Sequence, residues 1–282
     1  MNADEMLLTS LLKCRRVDLY TNPIKLDSAR QKVFDNLKRR YVGGEPLQYI
    51  LGECEFYGMT LKVDERVLIP RPETELLVDL ILDTIPYDWK LFPIIGETVS
   101  KYRGKCPQGQ YLRILDLGTG SGNIAIALAK HLPESRLVSV DISREALHLA
   151  RTNAMAQGVE HRIDFINADL KDFLQKQSDQ NKTFDVIISN PPYIPTSQLS
   201  SLPQNVQREP VLALDGGEDG LKFYRAIVPA AELLLSSQGF LFFEIGDGQS
   251  FDILRLFSNQ KFAKVHALKD FSGTDRFILA QL

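Results

Sequence analysis

RILDLGTGSGN, residues 113–123, is the stretch on which the fold turns. Its first half, Arg113 to Leu117, is the near-continuous apolar run of a strand covered on both faces. Its second half, Gly118-Thr119-Gly120-Ser121-Gly122, puts glycine at every other position, which suits a tight turn that approaches a ligand with no Cβ in the way. Asn123 then opens a helical run, NIAIALAKHL. Strand, glycine turn and helix in that order begin a βαβ unit.

Working outward, the alternation continues through RLVSVD, REALHLARTNAMAQ, RIDFINAD, DVIISN, LKFYRAIVPAAELLL, GFLFFEIG and FILAQL. This pattern predicts an α/β fold, a doubly wound and mostly parallel sheet with helices on both faces. Ligands of such sheets collect at the carboxyl ends of the strands, near the point where strand order reverses. Asp141 ends the second strand 23 residues after Gly118, where a carboxylate can accept from both hydroxyls of a ribose. Asp169 closes the third strand in the corresponding place. Either acid can also serve as a helix cap, Asp141 for a helix starting near Ser143. A dinucleotide fingerprint needs its third glycine at position 123, and Asn123 stands there instead.

Upstream, MLLTSLLKC and the stretch from Ser28 to about Arg40 read as amphipathic helices, and CEFYGMTLKV as a hairpin. A helix starts after Ile69-Pro70-Arg71-Pro72, because proline suits a first helical position and Glu73 and Glu75 suit the positive end of the helix dipole. Residues 86–110, rich in Pro and Gly, read as a linker. The division is then a helical domain with a hairpin over 1–85, the linker over 86–110 and the α/β domain over 111–282.

The 282 residues carry a net charge of −3, which argues against stable binding of nucleic acid. Residues 1–40 hold nine bases against five acids, and a solvated helix face is the preferred reading of that excess. The acidic start MNADEM and the lack of a long apolar run point to a cytoplasmic protein with no membrane span. Three scattered cysteines and four scattered histidines match no metal-site spacing, so no metal is expected.

After the run DVIIS comes Asn190-Pro191-Pro192-Tyr193. An amide nitrogen is a poor nucleophile, because its lone pair is delocalised into the carbonyl. A site that acts on it must hold both N–H groups with acceptors and aim the lone pair. Asn190 offers a side-chain carbonyl, Pro191 a backbone carbonyl with no competing N–H, and Tyr193 a flat face for a planar group. The Pro191-Pro192 pair stiffens the chain between them. A proline-rich turn with a packed tyrosine is the plain alternative.

DLGTGSG with Asp141 resembles the seven-stranded, Rossmann-like methyltransferases that use S-adenosylmethionine and release S-adenosylhomocysteine. The resemblance implies that Gly118, Thr119, Gly120, Ser121 and Gly122 hold the methionine portion, Asp141 the ribose, and Asp169 with the backbone of Leu170 the adenine, with Asn190 bordering the same cofactor. NPPY after the fourth strand resembles enzymes acting on adenine amines of DNA or RNA and enzymes acting on glutamine amides. GGEPLQYILG, EFYG, LIPRPETE and REPVLALDGGEDGL, from Arg208 to Leu221, resemble the release factor glutamine methyltransferases in order and distance. That family implies class I peptide chain release factors as partners, a small helical N-terminal domain that helps bind them, and Asn190, Pro191, Pro192 and Tyr193 as the catalytic motif. It also implies a rim role for Arg71, Pro72 and Glu73, which a helix start explains as well, and Asp215 to Gly220 reads either as a mobile loop over the site or as a flexible surface turn. An adenine methyltransferase is the alternative, and a nucleotide-binding module using NAD would leave NPPY unexplained.

Overall fold

The structure, a computed structural model, describes residues 2–21, 25–85, 111–180 and 183–282. The linker read over 86–110 lies outside the described residues. The chain begins with helices α1 (Ala3–Leu12), α2 (Asp18–Thr21), α3 (Ser28–Val42) and α4 (Leu47–Leu51). Asn2 and Glu5 close a capping box on α1, and the Asp27 side chain caps α3. Five of the nine early bases are engaged on this surface: Arg15 with Asp18, Arg16 with Glu5, Arg30 with Asp27, Lys38 with Asp4 and Arg40 with Glu45.

Strands β1 (Glu53–Phe56) and β2 (Met59–Lys62) then pair antiparallel about Tyr57-Gly58. Both turn residues have positive φ, 51° and 68°, the backbone a tight two-residue hairpin turn requires. Tyr57 is held there by helix α5 (Pro72–Thr84): its N–H donates to Glu75 at 2.8 Å and its hydroxyl to Asp79 at 2.5 Å. Helix α5 starts with Pro72 at its first position and acids in its first turn, as its sequence dictates.

The remaining elements run β3 (Leu112–Leu117), α6 (Asn123–His131), β4 (Ser135–Asp141), α7 (Arg144–Ala156), β5 (Ile163–Asn167), α8 (Leu170–Asp179), β6 (Phe184–Ser189), α9 (Lys222–Leu234), β7 (Leu235–Glu244), α10 (Ser250–Leu256), β8 (Lys264–Lys269) and β9 (Asp275–Gln281). They form a seven-stranded sheet in the order β5-β4-β3-β6-β7-β9-β8. The pairs from β5 to β7 are parallel, and β9 lies antiparallel between β7 and β8.

Alternate residues on the central strands feed two cores. Ile114, Val186, Ile188 and Phe242 face α6 and α5, while Leu115, Ile187, Leu241 and Phe243 face α9 and its neighbours. Burying each such side chain contributes roughly 1.5–3 kcal/mol. Phe56, Met59 and Leu61 of the hairpin and Leu77, Val78 and Ile81 of α5 belong to the first of these cores. The hairpin and α5 are thereby packed on the sheet, although they precede residue 85 in the chain.

The pattern reading yields six strands, and the seventh is β8. Its sequence, KVHALK, alternates exposed and half-buried positions at the sheet edge. An edge strand needs no continuous apolar run, so it carries a weak signal.

Candidate active site

Strands β3 and β6 lie side by side at the centre of the sheet, with Leu117 paired to Ser189. The chain runs outward from β3 through β4 to β5 and then returns to β6, so strand order reverses between these two ends. The Ser189 hydroxyl donates to the Leu117 carbonyl at 2.7 Å and ties the ends together. Gly118 and Asn190 consequently leave adjacent strand ends, which is where such sheets bind ligands. A cavity of about 320 Å³ opens at this point. Gly118, Gly120, Asp141, Asp169 and Leu170 line it together with Asn190, Pro191 and Pro192.

The glycine turn has φ of 78°, 53° and 82° at Gly118, Gly120 and Gly122. At Gly118 and Gly120 a built Cβ would meet nothing within 4 Å, so the demand there is conformational and the space stays open toward the cavity. Gly122 instead lets α6 close on α7, since a Cβ would lie 3.0 Å from Ile126 and 3.1 Å from Ala150. Thr119 and Ser121 are buried and serve the turn itself: the Thr119 hydroxyl donates to Asp116 at 2.6 Å, and the Ser121 carbonyl accepts from Asn153 at 3.0 Å. Of the five residues expected around the methionine portion, the lining residues are Gly118 and Gly120.

Asp141 accepts the Gly120 N–H on one oxygen and the Ser143 N–H on the other, both at 2.9 Å. Burial raises its pKa, with the Ser143 and Gly120 bonds opposing. Beyond its backbone partners, the carboxylate keeps acceptor capacity for a ribose hydroxyl. Ser143, not Asp141, caps α7 through its hydroxyl. Asp169 is exposed and caps α8 by accepting from Lys171 N–H at 2.8 Å, so it serves the helix whether or not it also meets an adenine. Val140, Ile142, Leu170 and Phe223 add apolar walls for a flat heterocycle. An open glycine turn, a carboxylate with spare acceptor capacity and an apolar slot fit S-adenosylmethionine.

The four residues of the NPPY motif divide. Asn190, Pro191 and Pro192 line the cavity, whereas the Tyr193 ring packs with the second core and beside Gly246. Burial pushes the Tyr193 hydroxyl up to about 12. Its carbonyl accepts from Gln249 Nε2 at 2.9 Å, and Gln249 Oε1 accepts from Gly246 N–H at 2.9 Å. Here Tyr193 anchors the loop from behind, and the planar wall expected of its ring is not on this cavity.

The segment 215–220 is also better anchored than a mobile loop would be. Ile194 bridges Asp215, Thr196 N–H donates to the Gly217 carbonyl at 2.9 Å, and the Thr196 hydroxyl donates to Asp215 at 2.6 Å. These bonds hold it against the chain that follows NPPY. Arg71 and Glu73 are not among the lining residues of this cavity; Arg66, Val67 and Leu68 form that edge. Arg71 instead pairs with buried Glu209, which also accepts the Ile69 N–H at 3.0 Å. LIPRPETE and REPVLALDGGEDGL, some 140 residues apart, are joined by this one carboxylate. Thr74 and Glu209 lie inside LIPRPETE and REPVLALDGGEDGL, but nothing there singles them out; Gln249 carries no signal in the sequence, and Glu244 only the oddity of an acid inside the apolar run GFLFFEIG.

Two buried acids sit behind the site. Burial pushes Asp116 up to about 7, against its Thr119 hydrogen bond, and pushes Glu244 up to about 7, against its Thr74 bond and the Arg276 charge. Both raised values mean that the folded chain binds more protons than the unfolded chain between the ordinary carboxylate range and pH 7. Their contribution is therefore fully present below the unfolded pKa and is lost as pH rises through about 7. Asp219, lowered to about 2 chiefly by Arg225, and Asp270, lowered to about 2 chiefly by Ser272, act in the opposite sense and only at the acid extreme. The melting temperature is expected to fall by several degrees between about pH 5.5 and about pH 8.5. Asp116→Asn should flatten that slope in scanning calorimetry, and an unchanged slope would assign it to other groups.

Comparison with known proteins bears directly on these features. Residues 2–52 match the model of the PrmC N-terminal domain, and residues 109–242 match a methyltransferase domain. The release factor glutamine methyltransferase of Geobacter sulfurreducens is 40% identical over 281 residues, covering 97% of this chain and 87% of that protein. That of Thermodesulfovibrio yellowstonii is 36% identical over 276 residues, covering 98% and 90%. The chain belongs to the release factor glutamine methyltransferase family. It is an S-adenosylmethionine-dependent methyltransferase. The fold is shared more widely: the catalytic domain of hMettl16, solved with an RNA hairpin, superposes with a TM-score of 0.54 at 14% identity, covering 80% of this chain and 76% of that one. Among the described residues no helix is long and apolar enough to cross a membrane.

Proposed function

We propose that this enzyme methylates the side-chain amide nitrogen of the glutamine in the Gly-Gly-Gln loop of class I peptide chain release factors, in the cytoplasm. The observation that carries this reading is the single cavity shared by Asn190 and Pro191 with Gly118, Gly120 and Asp141. When bound, S-adenosylmethionine supplies an electrophilic methyl group on sulfonium. The chain has to supply placement, which can remove roughly 7–11 kcal/mol of barrier, far more than the ~0.5–1.5 kcal/mol of one neutral hydrogen bond.

In this reading Asn190 Oδ1 and the Pro191 carbonyl accept the two N–H groups of the glutamine amide. Held in this way, the nitrogen has its lone pair directed along the cavity; as the new carbon–nitrogen bond forms, the methyl leaves sulfur, one N–H proton is lost and the product amide keeps the other. Pro191 contributes no N–H to compete, and Pro192 keeps the carbonyl in place. Val67, Leu68 and Leu212 give the cavity an apolar wall. Residues 1–85 are assigned to partner docking, while their last part also lends Val67 and Leu68 to the cavity of the catalytic segment 111–282; 86–110 join the two.

Incubating the enzyme with labelled S-adenosylmethionine, a release factor and an adenine-containing oligonucleotide tests the assignment. Mass spectrometry should place one methyl group on the Gly-Gly-Gln glutamine. Label on the oligonucleotide, and none on the release factor, would replace this reading with the adenine one.

A further inference from the structure

Behind Asn190 lies a short relay drawn from two distant parts of the chain. Thr74, in the first turns of α5, is 1% exposed, and Glu244, the last residue of β7, is 2% exposed. The Thr74 hydroxyl donates to Glu244 Oε2 at 2.7 Å, and Asn190 Nδ2 donates to Thr74 Oγ1 at 3.3 Å. A threonine hydroxyl has one hydrogen. Once that hydrogen is committed to the carboxylate, only lone pairs face Asn190, and they accept its NH2.

We propose that Thr74 and Glu244 are positioning residues that set which way the Asn190 carboxamide faces, taking its NH2 so that Oδ1 is presented to the substrate. The proposal rests on the amide-methylation reading above. A carboxamide turned by half a rotation would set its own NH2 against the NH2 of the incoming amide, donor against donor. Ionised Glu244 accepts only and so keeps the relay in one polarity. A proton on Glu244 lets it donate to Thr74 Oγ1, which frees the threonine hydrogen to donate to Asn190 Oδ1 and favours the wrong face.

The surroundings place that switch in an accessible range. Burial holds Glu244 at about 7, with Thr74, Arg276 and Asn190 drawing it down and Glu73 drawing it up. Tyr224, from α9, donates its hydroxyl to the Glu244 backbone carbonyl at 2.9 Å and leaves the carboxylate to the relay. Tyr193 is the other titratable neighbour, and burial keeps it protonated throughout this range.

The test uses the full-length enzyme. Thr74→Val keeps the shape and removes the hydroxyl; kcat should fall roughly tenfold, with S-adenosylhomocysteine affinity within about twofold and KM for the release factor little changed. Thr74→Ser, which restores the hydroxyl, should recover most of the loss. In the wild type kcat should drop as pH falls through about 7, and that limb should vanish in Glu244→Gln. Wild-type kcat in Thr74→Val, or the same acid limb in Glu244→Gln, would overturn the relay. A second readout needs no turnover: the Asn190 side-chain NH2 signal in nitrogen-edited NMR, assigned from Asn190→Ala, should titrate near pH 7 in the wild type and not in Glu244→Gln. An enzyme silent on release factors whose Asn190 signal still titrates would reject the proposed function and keep the relay. An active enzyme whose Asn190 signal is flat would do the reverse.

Discussion

Asn190→Ala is expected to lower turnover on a release factor by roughly a hundredfold or more while cofactor affinity stays within about threefold of wild type. The size follows from what the side chain does. A preorganised partner aimed at the reacting group is worth about 10²–10³ in rate when removed, much more than a hydrogen bond that merely stabilises the fold. Asn190 Oδ1 is the partner in question, and Thr74 and Glu244 behind it have already lost their freedom to the relay. The cofactor features, by contrast, sit on other elements: the glycine turn follows β3 and Asp141 ends β4. Calorimetry with S-adenosylhomocysteine and single-turnover kinetics separate the two effects. Wild-type turnover in this variant would remove Asn190 from the chemistry.

Gly216→Ala should be among the damaging changes outside the cavity wall. A Cβ at Gly216 would lie 2.8 Å from the Pro192 carbonyl oxygen, from the Tyr193 carbonyl carbon and from Gly220 Cα. All three are backbone atoms, so no side chain can swing aside. The segment 215–220 must move away from the NPPY loop or push it inward, and overpacking of this kind costs about 1–3 kcal/mol. Because Pro192 lines the cavity, the displacement reaches the site, and turnover should fall by about tenfold or more in addition to a drop of several degrees in melting temperature. Gly273→Ala provides the contrast. Its φ of 84° also resists a side chain, but nothing lies within 4 Å of a Cβ there, and no residue of the turn joining β8 to β9 lines the cavity. It should cost roughly 1 kcal/mol of strain and leave turnover intact. Equal losses in the two variants would mean that the close approach at Gly216 does not support the site.

The pH behaviour of the molecule sets stability against activity. Protonated Asp116 and Glu244 favour the folded chain, whereas the relay requires Glu244 ionised. Moving from about pH 6 to about pH 8 should therefore lower the melting temperature and raise kcat together.

Much of the fold was legible because it rests on local rules. The period of RILDLG and DVIISN can be satisfied only by strands covered on both sides, the glycine turn needs backbone angles that other residues resist, and Pro72 with Glu73 and Glu75 marks a helix start within a single turn. The same features located Asn190, Pro191, Gly118 and Asp141, since strand ends at a reversal of strand order are where a ligand can enter. Sequence alone thus determined most of the elements, though not the edge strand β8, together with the glycine turn and the motif at the end of β6. Tertiary structure decided which side chains those elements bring together. Thr74 and Glu244 are 170 residues apart and meet only because α5 packs on the sheet, Tyr193 turns into the second core and not onto the cavity, and 215–220 is bonded to the chain after NPPY. A threonine or a glutamate carries no periodicity that reveals its partner, and its role depends on strand order and shared packing across the whole chain.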